Sequence, residues 1–106
     1  MTRDARFQAE AVSLGYKFDG EIKIGGNYVP IVRERDQVFV SGQIPRVGDA
    51  VVFTGAVGSD IDLNQAQVAA KVCVMRALAL LQRSLGTLDK VRTISRITVF
   101  VRSAAN

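Results

Sequence analysis

At 106 residues the chain has room for one domain and too little for two. An apolar fraction of 48% and a charged fraction of 23% are those of an ordinary folded domain, which excludes a disordered chain. The net charge of +4 raises nucleic acid as a partner, but the arginines at 3, 6, 33, 35, 46, 76, 83, 92, 96 and 102 are scattered. A groove reader would gather them on one element, so nucleic acid is not expected as the principal partner. No apolar run reaches the ~20 residues of a membrane span, and the N-terminus lacks an apolar signal core, so a cytoplasmic location without membrane contact is expected. There is no histidine, which removes imidazole triads and His metal sites. The single Cys73, in the run Val72-Cys73-Val74-Met75, reads as a small buried hydrophobe.

Along the chain, Thr2 to Leu14 predicts a short amphipathic helix. Thr2 is the N-cap, Ala5, Ala9 and Val12 share a face, and Gly15 is the stop. Residues 16–26 carry no periodicity and form a linker. Tyr28 to Val32, with Pro30 marking an edge or bulge, and Gln37 to Gln43 predict two strands joined at Glu34-Arg35-Asp36. Together they make an antiparallel hairpin over 28–43. Pro45 to Asp49 is a loop and Val51 to Thr54 a short third strand. Gly55-Ala56-Val57-Gly58 lacks the Gly-Lys-Ser/Thr ending of a phosphate loop and reads as a turn.

Asp62 with Gln65 three residues on forms a capping box, and Gly86 follows Leu85 as a C-terminal stop, so residues 62–85 predict one long helix. Ala66, Ala69, Ala70, Cys73, Ala77, Leu80, Leu81 and Leu85 define its apolar face, with Gln67, Lys71, Arg76 and Arg83 mainly elsewhere. Small side chains on that face would let the helix lie close on a sheet. Residues 91–101 predict a long strand in the hairpin's sheet, Val91, Ile97, Val99 and Val101 on one face and Arg92, Arg96 and Thr98 on the other. Strand, helix and strand in this order imply a right-handed crossover, hence an α/β or α+β domain.

Three stretches then stand out: Gly26-Asn27-Tyr28-Val29-Pro30, Val38-Phe39-Val40-Ser41-Gly42-Gln43-Ile44-Pro45, and Thr98-Val99-Phe100-Val101-Arg102. With the intervening helix and the connection Leu85-Gly86-Thr87-Leu88-Asp89-Lys90-Val91, they resemble the YjgF/RidA (reactive intermediate deaminase) family over essentially the whole chain. The helix before Tyr16-Lys17-Phe18 is similar to that of the family's longer-N-terminus members. The resemblance implies an α+β, chorismate-mutase-like mixed sheet backed by helices. Residues 1–106 would be a single partial domain, with an N-terminal helix over 1–15 and the hairpin, long helix and strand over 27–101. Three copies would form a homotrimer with clefts between subunits.

The activity implied is hydrolysis of reactive enamine or imine intermediates of the 2-aminoacrylate type to a 2-keto acid and ammonia, with no cofactor and no metal. By resemblance the substrate-binding residues are Tyr28, Val29, Ser41, Gly42 and Phe100. Tyr28 is the cleft tyrosine, Ser41-Gly42 the substrate end, and Val29 and Phe100 apolar walls. The family's carboxylate-binding arginine and water-orienting glutamate have no counterpart here and are expected beyond Asn106, so catalysis is not expected of these residues alone. Arg96 is not their stand-in, since a solvated strand face accounts for it. Two further readings stand beside the deaminase: a non-catalytic module binding a small carboxylate or another protein, and an RNA-cleaving member, in keeping with the family's older endoribonuclease and translation-inhibitor labels.

Overall fold

The computed structural model describes residues 2–24, 26, 27 and 29–105. Helix α1 spans Arg3–Leu14 and helix α2 spans Leu63–Leu85. Two short antiparallel hairpins lie between them, β1 (Ile31–Glu34) with β2 (Gln37–Val40) and β3 (Arg46–Val47) with β4 (Ala50–Val51). A single turn of 3-10 helix, Leu88–Lys90, follows α2. The mixture of helices and antiparallel strands is α+β.

Both helices start and stop where their residues dictate. The Thr2 hydroxyl accepts the Ala5 N–H at 3.1 Å, and Gly15 closes α1 in the left-handed conformation at φ 77°. At α2 the capping box is complete: Gln65 N–H donates to Asp62 Oδ1 at 2.7 Å and Asp62 N–H to Gln65 Oε1 at 3.0 Å. Gly86, at φ 86°, sends its N–H back to the Gln82 carbonyl at 2.8 Å.

The β1–β2 register runs from Ile31↔Val40 to Glu34↔Gln37, so Arg35 and Asp36 alone make the turn. Arg35 sits at φ 54°, a conformation that primed two-residue turns require and glycine accepts most readily. The second hairpin replaces the expected loop and third strand. Gly48, at φ 60°, turns the chain tightly between Val47 and Ala50. Phe53, at φ 57°, breaks the extended backbone, so a strand cannot run through to Thr54.

The core lies chiefly between the two helices and the segment joining α1 to the first hairpin. Phe7, Ala11, Phe18, Val72, Met75, Ala79 and Leu88 form one buried cluster, joined by partly buried Leu14, Tyr16, Ile22, Val47 and Val52. The Phe7 and Phe18 rings meet edge to face at 6.4 Å between centroids. This corrects the expected α1 face and part of the α2 face, where Leu80 and Leu85 are buried as expected. On α1 the buried side is Phe7 and Ala11, while Ala5, Ala9 and Val12 are exposed. On α2 it is Val72, Met75, Arg76, Ala79, Leu80 and Leu85; of the alanine face, Ala70 is exposed and Ala66, Ala69 and Ala77 are half-buried. The buried faces mix large side chains with Ala11 and Ala79, which let the packed segments approach closely.

The expected strand over 91–101 does not form, and with it goes the expected crossover. Among the described residues this run has no ladder partner. Its only pairing comes just past its end, where Val57 N–H donates to the Arg102 carbonyl and the Val57 carbonyl accepts from Ala104 N–H, both at 2.9 Å. Ile94, Ile97, Val99, Phe100 and Val101 are exposed. Alternation specifies which face a strand would bury, but not that a sheet edge is there to receive it. The radius of gyration, 14.5 Å, accordingly exceeds the ~13 Å of a compact domain of this length.

Candidate functional site

Among the residues singled out from the sequence, Val29, Ser41 and Gly42 converge at the open end of the β1–β2 hairpin. Ser41 N–H donates to the Pro30 carbonyl at 2.9 Å, which continues the pairing one step past Ile31↔Val40 and sets the backbone of Val29–Pro30 beside Ser41. The Val29 side chain is 70% exposed. Tyr28 lies outside the described residues. Phe100 is not brought to this place: its ring is 92% exposed on the unpaired run, and it packs on none of the others.

Gly42 does not need to be glycine for backbone or packing reasons. Its φ is not in the left-handed region, and a Cβ built there would meet no atom of the described residues within 4 Å, its chain neighbours aside. Among the described residues, the side of Gly42 on which a Cβ would project is therefore open.

Behind the wall stands a polar chain that sequence reasoning missed. Gln43 Nε2 donates to the Ser41 carbonyl at 3.1 Å and to Ser41 Oγ at 3.3 Å. Gln43 Oε1 accepts from Arg76 Nε at 3.0 Å. Arg76 also donates through one terminal nitrogen to the Arg46 carbonyl at 2.8 Å and through the other to the Lys23 carbonyl. Only 4% of Arg76 is exposed, and a buried guanidinium is tolerable only when its N–H groups find acceptors, which these loops supply. The signal was present in the sequence. Val72, Arg76 and Ala79 fall at helical spacing on one face, so Arg76 interrupts the buried stripe and is not part of the solvated one.

The surrounding electrostatics are basic. Lys23 pairs with Asp49, and that hydrogen bond and charge hold the Asp49 carboxyl below the usual carboxylate range, with Arg46 adding a smaller pull. Cys73, three residues before Arg76, is half-buried; burial pushes its thiol up, with Arg76 opposing, which fits a packing role. Among the described residues no three His, Cys, Asp or Glu side chains cluster as metal ligands, and no helix is long and apolar enough to cross a membrane.

Two hollows of about 540 Å³ each lie elsewhere. One is framed by α1, Tyr16 to Asp19 and Arg83. The other is a groove between Arg3, Arg6 and Glu10 of α1 and Lys71, Val74 and Leu78 of α2. Neither contains Ser41 or Gly42. What the hairpin's open end offers is a shallow wall with a hydroxyl, a bare backbone and a buried cation behind them.

The sequence is 32% identical over 99 residues to Protein TCP17 of Trypanosoma cruzi, a match covering 93% of this chain and 62% of that one. A crystal structure from Shewanella oneidensis MR-1, of a protein provisionally called an endoribonuclease, superposes with a TM-score of 0.69 at 24% identity, over 83% of this chain and 58% of its own. A protein of unknown function from Agrobacterium tumefaciens superposes with a TM-score of 0.66 at 33% identity, over 81% of this chain and 52% of its own. No protein-family model matches the chain. The chain thus spans 62% of the curated relative and little more than half of either solved structure.

Proposed function

We propose, on the premise that this chain has a YjgF/RidA-like fold, that it supplies the substrate-binding wall of a hydrolase acting on reactive enamine and imine carboxylates of the 2-aminoacrylate type. In that reaction the enamine tautomerises to an imine, water adds to the imine carbon, and ammonia leaves to give the 2-keto acid. The observation that carries the proposal is the Ser41–Gly42 corner. It is held by Pro30 on one side and Gln43 on the other, and it faces space that a ligand can enter. Val29 and Tyr28 would line the same wall. Phe100 would reach a cleft only from a neighbouring subunit.

A chorismate-mutase-like sheet, a homotrimer and a cytoplasmic location belong to the same proposal. The exposed Val32 and Phe39 of the hairpin and the exposed run Ile97 to Val101 support assembly with further strands or subunits. The carboxylate-binding arginine and the water-orienting glutamate would come from outside residues 1–106. RNA cleavage, which the name of the Shewanella relative raises, fits less well. The chain has no histidine. Arg76 is buried on backbone carbonyls, and the exposed Arg83 is engaged by those of Phe18 and Gly20.

The test is a titration with pyruvate, the product of 2-aminoacrylate hydrolysis, followed by amide chemical shifts. Shifts are expected at Val29, Ser41, Gly42 and Gln43, and Gly42→Ala should abolish them without lowering the melting temperature. Shifts confined to the α1–α2 groove, or none, would contradict the assignment.

A further inference from the structure

The Arg76–Gln43–Ser41 chain fixes a direction that bears on which ligand group the wall can take. A guanidinium N–H can only donate, so the Gln43 atom facing Arg76 Nε at 3.0 Å must be the carbonyl oxygen. The other end of the same amide is then necessarily the NH2 group, and it faces Ser41 O at 3.1 Å and Oγ at 3.3 Å. A free glutamine could present either end. Held by Arg76, it cannot. Ser41 Oγ is thereby an acceptor toward the protein, and its own proton is used in neither bond. Because Gln43 is polarised by a buried cation, that proton is also the better donor.

We infer that Arg76 is a positioning residue that acts through Gln43 to leave the Ser41 hydroxyl proton available to a ligand. The wall therefore keeps that proton for a ligand that brings a hydrogen-bond acceptor, a carboxylate or carbonyl oxygen, to Ser41. This inference rests on the reading of Ser41–Gly42 as the ligand wall. The chain joins two parts of the fold: Arg76 is on α2, and Gln43 and Ser41 lie in the segment that follows β2. The two further donations from Arg76, to the Arg46 and Lys23 carbonyls, keep the guanidinium from turning away.

The experiment combines a spectroscopic signature with a double-mutant cycle on pyruvate affinity. In the unaltered chain the two Gln43 side-chain amide protons should be well separated in shift and slow to exchange. In Arg76→Met, which keeps the bulk and loses the donors, they should collapse toward the free-glutamine values. Pyruvate affinity should fall roughly 2- to 12-fold in Arg76→Met, the range of one neutral hydrogen bond. In a Ser41→Ala background the same substitution should cost nothing more, because the path to the ligand is already cut. A purely structural arginine would cost the same in both backgrounds, and that result overturns the inference. So does an unchanged Gln43 signature in Arg76→Met. Should Arg76→Met fail to fold, Gln43→Ala replaces it, and unaltered pyruvate affinity there is equally fatal. If the unaltered chain shows no pyruvate response at all, the wall reading fails, while the Gln43 signature still decides whether Arg76 orients the amide.

Discussion

Asp4, in the first turn of α1, accepts the backbone N–H of Leu88 at 3.0 Å across 84 positions of sequence. The same carboxylate takes the Gln82 side-chain amide at 2.8 Å and the Thr87 hydroxyl. Arg3 beside it donates to Asp89 and to the Leu88 and Val91 carbonyls. The N-terminal helix is thus clasped to the end of α2, which keeps Phe7 and Ala11 over Val72 and Met75.

The clasp makes docking of α1 pH-dependent. The Leu88 N–H first, then Thr87 and Gln82, stabilise the ionised Asp4 and hold its pKa below the ordinary carboxylate value. A depressed folded-state pKa contributes stability that is present above the unfolded value and is lost as pH falls through the folded value. Asp4→Asn should therefore melt below the unaltered protein at pH 6, and the gap should close toward pH 3. A gap that persists unchanged at pH 3 would show that Asp4 acts through something other than its charge.

Gly55 is required where Gly42 is not. It sits at φ 119°, and a Cβ there would come within 2.9 Å of Asp60 Oδ2 and closer still to Asp60 Cβ. That carboxylate accepts the Ala56 N–H at 2.8 Å and ties the 55–61 turn together. Gly55→Ala should destabilise by about 2 kcal/mol or more, read from the midpoint of urea unfolding. Gly42→Ala should leave that midpoint unchanged or slightly raised.

Neighbouring valines on α2 should separate cleanly. Val72 is fully buried and Val74 is 51% exposed, so Val72→Ala should cost roughly 2 kcal/mol and Val74→Ala less than about 0.5 kcal/mol. The same urea titration reads both. Equal costs would mean that the buried face of α2 is not the one described.

At the β1–β2 turn, Arg35 holds φ 54°. Arg35→Gly relieves the strain on a Cβ there, less the glycine's extra unfolded-state entropy, and should stabilise by roughly 0.5 kcal/mol. A lower melting temperature would indicate that the arginine side chain contributes contacts of its own.

What could be read from the sequence follows from how local each signal was. Asp62, Gln65 and Gly86 set the limits of α2 through interactions spanning three or four residues, and the alternation flanking Glu34–Asp36 located the hairpin. Ser41 and Gly42 were placed by resemblance, and the structure brings them to one corner with Val29. The strand over 91–101 was misread because strand pairing depends on a distant edge that side-chain alternation does not report. Arg76 falls off the expected alanine face, and its place in the buried Val72–Ala79 stripe depends on partners that helical spacing does not report. Its acceptors, the Lys23 and Arg46 carbonyls, lie 53 and 30 residues away. The Asp4 clasp is longer in range still.

The central claim, a wall that serves enamine and imine hydrolysis, is tested most directly by release of pyruvate from freshly generated 2-aminoacrylate. Residues 1–106 alone should release it no faster than buffer. The same residues joined to the part of the Agrobacterium relative that they do not cover, and shown to melt cooperatively, should accelerate it. Gly42→Ala should remove that acceleration. A folded, joined protein that leaves the buffer rate unchanged, or one indifferent to Gly42→Ala, would contradict the account.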